Sequence, residues 1–138
     1  MDRLAIIVRD DNYMRIQTPL SFAYDFAARG AKVDVLFLSM ALRALTPEGA
    51  RSLCMDGRHE NEEPWLRQRL EDVGVPVHVD ELLRAIVGAG EVSLVGCRDT
   101  AEVLNITEAD LMPEATGLVD SSKFIEDVAD RGIHCMYF

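Results

Sequence analysis

Short apolar runs rich in β-branched residues alternate along this chain with longer amphipathic stretches. That alternation constrains the fold more than any other feature, because parallel strands need long crossovers and each crossover helix must cover a sheet face. The first strand is expected at residues 4–8, and a helix at 15–29 carries Ile16, Leu20, Ala23 and Ala27 at helical spacing, with Gly30 as its stop. Residues 32–38 are nearly continuous in hydrophobicity and read as a strand buried on both faces.

The middle of the chain is less regular. Residues 39–45 read as a short helix, and Thr46-Pro47-Glu48 as the start of another, with Thr46 as cap and Pro47 at the first helical position. Polar residues 55–61, with Gly57, read as a loop, and residues 62–73 as a helix. A third strand is expected at 75–79, where Pro76 suits a strand start. A short helix follows at 81–87 and a fourth strand at 92–95. Residues 105–118 read as a connector with a helical turn at 107–111, where Thr107 and Asp110 have capping-box spacing. A last helix at 121–131 stops at Gly132, and residues 133–138 form the terminal strand. The expectation is one α/β domain over residues 1–138, a three-layer α/β/α sandwich on a mainly parallel five-stranded sheet.

Several function classes conflict with the composition. The formal net charge is −10, from 14 Lys+Arg against 24 Asp+Glu, so no nucleic-acid partner is expected. No apolar run approaches the roughly 20 residues that span a bilayer, so no membrane partner is expected either. Residues 1–8 lack the apolar length and small-residue cleavage site of a signal peptide, and the protein is expected to be cytoplasmic. Cys54, Cys97 and Cys135 form no Cys-x-x-Cys pair, and the histidines are scattered, so no metal is expected. The turn after the first strand, Arg9-Asp10-Asp11-Asn12-Tyr13, has no glycine of a dinucleotide fingerprint, and Gly-x-Ser-x-Gly is absent. No cofactor is expected.

In open parallel sheets, ligands sit outside the C-terminal ends of the strands. Residues 9–14, 39–46, 80 and 96–98 are expected on that edge. Cys97 is the most informative of them, because it closes the run Val92-Ser93-Leu94-Val95-Gly96 and precedes a helix-like stretch, 98–104. Free N–H groups at a helix start favour an anion, and the thiolate is the reactive form of cysteine. Cysteine is also among the most buried residue types, so Cys97 is either a reactive thiol or inert packing.

Val95-Gly96-Cys97-Arg98 through Leu104-Asn105-Ile106-Thr107-Glu108-Ala109-Asp110-Leu111 resembles the cysteine, helix and following turn of the DsrE/DsrF-like family of sulfur-relay proteins. Gly117-Leu118-Val119 followed by Phe124-Ile125 is similar to that family's later glycine and last helix, and residues 4–29 to its opening strand, loop and helix. The resemblance implies sulfur chemistry at Cys97: a carrier or sulfurtransferase that holds sulfane sulfur as a persulfide. It also implies a homo-oligomer, a trimer or hexamer, or a mixed assembly with related subunits, and a protein that donates or accepts sulfur. Some members lack the cysteine, so the alternative is a non-catalytic oligomeric module that binds a small ligand or partner.

Other residues have two readings each. Arg98 and Arg43 either stabilise a thiolate or persulfide or are solvated side chains, and Gly96, directly before the cysteine, is expected among the supporting or pocket residues. Cys54 is either a resolving thiol or a small hydrophobe. Cys135 alternates with Ile133 and Tyr137 and is expected in the core. Asp10 and Asp11 are expected to polarise the mouth of the cleft. An acidic pair there also suits a receiver domain, with Asp80 after the third strand, but the only late lysine, Lys123, is inside a helix. Tyr13 and Met14 suit a small-molecule pocket or a subunit interface.

Overall fold

The computed structural model describes residues 1–138. Five parallel strands form one sheet in the order β4-β3-β2-β1-β5. They are β1 (Arg3–Val8), β2 (Lys32–Phe37), β3 (Val92–Cys97), β4 (Gly117–Val119) and β5 (His134–Tyr137). The helices are α1 (Tyr13–Ala28), α2 (Pro47–Ser52), α3 (Glu63–Val73), α4 (Val79–Ala89), α5 (Arg98–Val103) and α6 (Ser121–Asp130). Segments Ser39–Leu45, Gly57–Glu62 and Glu108–Asp110 are 3-10 turns. No helix is long and apolar enough to cross a membrane.

Side-chain alternation divides the strands between two faces. Leu4, Ile6 and Val8 of β1, Val33, Val35 and Phe37 of β2, and Leu94 of β3 enter one main core of 26 buried residues. Helices α1 and α4 cover this face with Ile16, Leu20, Ala23, Leu82, Leu83 and Ile86. The opposite face holds a cluster of only four buried residues, Ile7, Leu36, Val95 and Cys97, with Leu38, Val119 and Phe124 against it. Helix α6 runs from β4 at one edge of the sheet to β5 at the other, and supplies Phe124 as this layer's cover. At roughly 1.5–3 kcal/mol per buried large apolar side chain, the first face dominates the stability of the domain.

Local chemistry sets the element ends. The Asn12 side chain caps α1 by accepting from Met14 N at 3.0 Å and Arg15 N at 3.3 Å. Thr46 Oγ1 accepts from Gly49 N at 3.0 Å, with Pro47 at the first position of α2. The Thr107–Asp110 capping box forms, with Asp110 accepting from Thr107 N at 2.8 Å.

Two strand expectations are corrected. Residues 75–79 are not a strand: they link α3 to α4, and Val79 already begins a helix that buries Val79, Leu82, Leu83 and Ile86 at helical spacing. The β-branched run is there to pack and cross, and the Val77 carbonyl is taken by the Tyr13 hydroxyl. The missing strand is Gly117–Val119, placed in the expected connector, which pairs with β3 through Val95↔Gly117 and Cys97↔Val119. Asp80 consequently lies in α4 rather than at a strand end, and its Oδ2 accepts from Arg51 at 3.0 Å and Arg84 at 3.1 Å. Cys135 is exposed instead of packed, because β5 is an edge strand of the sheet.

Candidate functional site

Cys97 is the last residue of β3 and the N-cap of α5. Strand alternation turns it to the thinly covered face, beside Val95 and under Val119 and Phe124, and leaves it 7% exposed. Its Sγ accepts from Thr100 N at 3.5 Å, the place an oxygen takes in an ordinary N-cap. The register Cys97↔Val119 brings the end of β4 alongside. Two residues later, Ser121 opens α6, and its buried Oγ has no hydrogen-bond partner.

Two opposing effects act on the thiol. Burial pushes its pKa up, but the polar groups around it, the Ser121 and Thr100 side chains and the N–H groups of Thr100 and Asp99, outweigh burial. The net result holds Cys97 below the ordinary thiol value. The cause is local hydrogen bonding, since the nearby charges are engaged elsewhere. Arg98 Nη2 donates to the Leu118 carbonyl at 3.1 Å. Asp120 caps α6 through Lys123 N at 3.1 Å, and Lys123 pairs with Asp127 at 3.6 Å.

Gly96 holds Cys97 from the other side of the strand. A Cβ at position 96 would lie 2.4 Å from Leu42 Cδ1 and 3.0 Å from Leu118 Cδ2, so any larger residue forces the Leu42 side chain or the strand to shift. A hollow of about 390 Å³ lies between residues 38–40 and α5, lined by Leu38, Met40, Thr100 and Val103 among others but not by Cys97. A larger groove of about 610 Å³ includes Arg43, Thr46, Ser52 and Asn105. It lies at the far end of α5, about 9 Å along the helix from Cys97.

The other expected residues separate. Arg43 is exposed and belongs to that larger groove. Asp10 receives Asn12 N at 2.8 Å and Arg15 Nη1 at 3.2 Å, so it shapes the turn into α1, and Asp11 is half-buried in the same turn. Tyr13 is no pocket residue: it is 1% exposed, with the Arg67 guanidinium 3.9 Å above its ring. Burial raises its pKa, with Arg67 opposing. Cys54 is exposed, and its carbonyl accepts from Tyr13 N at 3.0 Å. That anchors it at the end of β1, two strand spacings (about 10 Å) across the sheet from β3. No group of three or more His, Cys, Asp or Glu side chains is arranged to hold a metal ion.

Taken together, the sheet order, the all-parallel pairing and Cys97 define a small parallel α/β domain with a cysteine at the end of a central strand. No protein-family model matches the chain, and no curated protein matches its sequence. Solved structures share its fold. The MTH1491 protein of unknown function from Methanobacterium thermoautotrophicum matches with a TM-score of 0.63 at 13% identity over 100% of both chains. The conserved protein of unknown function BT1422 from Bacteroides thetaiotaomicron matches at 0.63 and 11% identity, over 99% of this chain and 95% of that one. The ychN protein from E. coli matches at 0.62 and 12% identity over 100% of both. At these identities the likeness establishes the fold.

Proposed function

We propose that this protein handles sulfur in the manner of DsrE/DsrF-like proteins, carrying a sulfane sulfur on Cys97 and passing it to a protein acceptor. The observation that carries this reading is the set of hydrogen-bond donors around Sγ, which hold the thiol below its ordinary pKa at a strand end. The thiolate attacks the outer sulfur of a donor persulfide, R–S–SH. A new S–S bond forms to Cys97, the donor's S–S bond breaks, and its electron pair leaves on the donor thiolate. The outer sulfur keeps its proton, and no external oxidant or reductant is required. Transfer onward repeats the exchange with an acceptor thiolate.

A homo-oligomer or a mixed assembly of related subunits, in a cytoplasmic setting, belongs to the same proposal and rests on the resemblance. Whole-protein mass spectrometry after exposure to a low-molecular-weight persulfide tests the site. Wild type is expected to gain the mass of one sulfur atom and Cys97→Ser to gain none. Equal loading of the serine variant at another position refutes the assignment.

The second reading, a binding module with no sulfur chemistry, is favoured by the 7% exposure of Cys97 and by the larger groove lying away from it. It predicts a Cys97 that resists alkylation at neutral pH in the folded protein.

A further inference from the structure

The two edges of the sheet are finished differently. At the β4 edge, side chains take both backbone groups of Leu118, the middle residue of that strand. Glu108 Oε1 accepts from Leu118 N at 3.1 Å, and Arg98 Nη2 donates to the Leu118 carbonyl at 3.1 Å. An oppositely charged pair stands where a neighbouring strand would bond. At the other edge, Phe138 turns both its groups to β1: its N–H donates to the Ile7 carbonyl at 2.8 Å, and its carbonyl accepts from Arg9 N at 2.9 Å. Backbone groups of a strand alternate between its two sides, so His134 and Met136 also face β1, while Cys135 and Tyr137 turn their N–H and C=O groups outward. No side chain caps them as Glu108 and Arg98 cap β4. Edge strands are commonly guarded by lysine, proline or other charges. Residues 133–138 contain no Asp, Glu, Lys, Arg or Pro, in a chain of net charge −10, and Tyr137 is 61% exposed.

We propose that β5 is a pairing edge for a second copy of this chain, joined antiparallel across a two-fold axis at Met136. The register follows from which groups point outward. With Met136 opposite the partner's Met136, each Cys135 faces the partner's Tyr137, and residues paired in this way exchange both backbone hydrogen bonds. Every outward group of both edges is then satisfied. The same operation lays each Cys135 side chain beside the partner's Tyr137 ring, an uncharged cross-strand pair. The charged cap on β4 decides the symmetry. A β5-to-β4 contact is head-to-tail and would repeat without closing, whereas a β5-to-β5 contact uses the same patch twice and closes on itself. With Leu118 occupied, the open edge meets its own kind. This inference goes beyond the sulfur chemistry at Cys97 and does not depend on it.

The test is sedimentation velocity of the full chain, kept reduced, from about 1 to 100 μM, the span of micromolar affinities. Wild type is expected to double its mass as concentration rises. Tyr137→Pro removes an outward N–H from each copy and is expected to weaken the doubling about tenfold or more, the scale of two lost hydrogen bonds. Cys135→Lys puts a charge on the edge and is expected to weaken it likewise. Should the resting assembly be larger than a dimer, both variants are expected to halve it. Circular dichroism checks folding, and Cys135→Lys decides alone if Tyr137→Pro does not fold. The register is read by mild oxidation of Met136→Cys combined with Cys54→Ser, Cys97→Ser and Cys135→Ser. Its two thiols face each other on the axis with Cα atoms about 4.5 Å apart and should form a disulfide dimer. A chain that keeps only Cys135 holds its two sulfurs on a diagonal, with Cα atoms about 7–8 Å apart, and should not. A mass that stays constant across the range overturns the proposal and leaves the edge to a strand of another protein. So does association that survives both edge variants, or a crosslink at Cys135 with none at position 136. The crosslinking variants lack Cys97, so a failure here leaves the sulfur proposal standing, and the reverse holds too.

Discussion

Gly96→Ala isolates how tightly β3 is held against the main core. The added Cβ would sit 2.4 Å from Leu42 Cδ1, whereas relaxed carbon–carbon contacts fall at about 3.5–4.0 Å. One of the two groups must move by about 1.2 Å. Leu42 is 0% exposed and packed on all sides, so its methyl has nowhere to turn. The strand cannot slip either, because Phe37↔Gly96 and Gly96↔Leu118 pair it with both neighbours. Overpacking of this kind costs about 2–3 kcal/mol. For a domain of this size, with about 3 °C per kcal/mol, the melting temperature should fall by roughly 6–9 °C. Gly88→Ala is the internal control. It lies in α4 with no heavy atom within 4 Å of its added Cβ and no positive φ, so alanine should stabilise by about 0.5–1 kcal/mol. Urea denaturation followed by far-UV circular dichroism gives both midpoints at a common slope. A Gly96→Ala midpoint within error of wild type would show that the Leu42 layer yields, and the close-packing argument for this strand end would be wrong.

The remaining predictions concern the cap of α1, the buried carboxylate of α4 and the thiol. Asn12→Ala removes two caps to backbone N–H groups and the 2.7 Å bond to Asp56, and should cost about 1–2 kcal/mol in the same urea assay. Burial raises the Asp80 pKa, but hydrogen bonds from Arg84 and Arg51 outweigh it and hold the group below the ordinary carboxylate value. The unfolded chain therefore binds this proton more readily than the native one, so the contribution is full above the unfolded pKa of about 3.9 and is lost as pH falls further. Wild type should lose stability more steeply than Asp80→Asn below about pH 4, and parallel pH profiles would remove Asp80 from the account. The lowered Cys97 pKa sets the sign for thiol reactivity: Cys97 should alkylate at lower pH than unfolded protein does, read by peptide mass spectrometry across a pH series. A folded-state midpoint above the unfolded one would contradict the hydrogen-bond reading.

The misreadings have specific physical causes. Residues 75–79 alternate as a strand does, but Val79 belongs to the helical series Val79, Leu82, Leu83 and Ile86, and the longer period decided. Gly117–Val119 is three residues long, too short to show any period, and becomes a strand only through its pairing with β3. Cys135 has the alternation of a core strand, but alternation names a face and not what covers it. Tyr13 follows a strand end as a pocket residue would, yet α1 begins at it and turns it inward under Arg67.

The sequence by itself determined the layered parallel architecture, because alternating strand and helix periods, caps at Thr46 and Thr107 and stops at Gly30 and Gly132 are local properties of the chain. It also placed Cys97 at a strand-to-helix turn. Only the tertiary structure decided what surrounds that sulfur. Sheet order brings β4 to the end of β3, and so sets Val119 against Cys97 across 22 positions of sequence. It also parts Cys54 and Arg43 from the thiol. Such distances depend on pairing between elements far apart in the chain, and no local period encodes them.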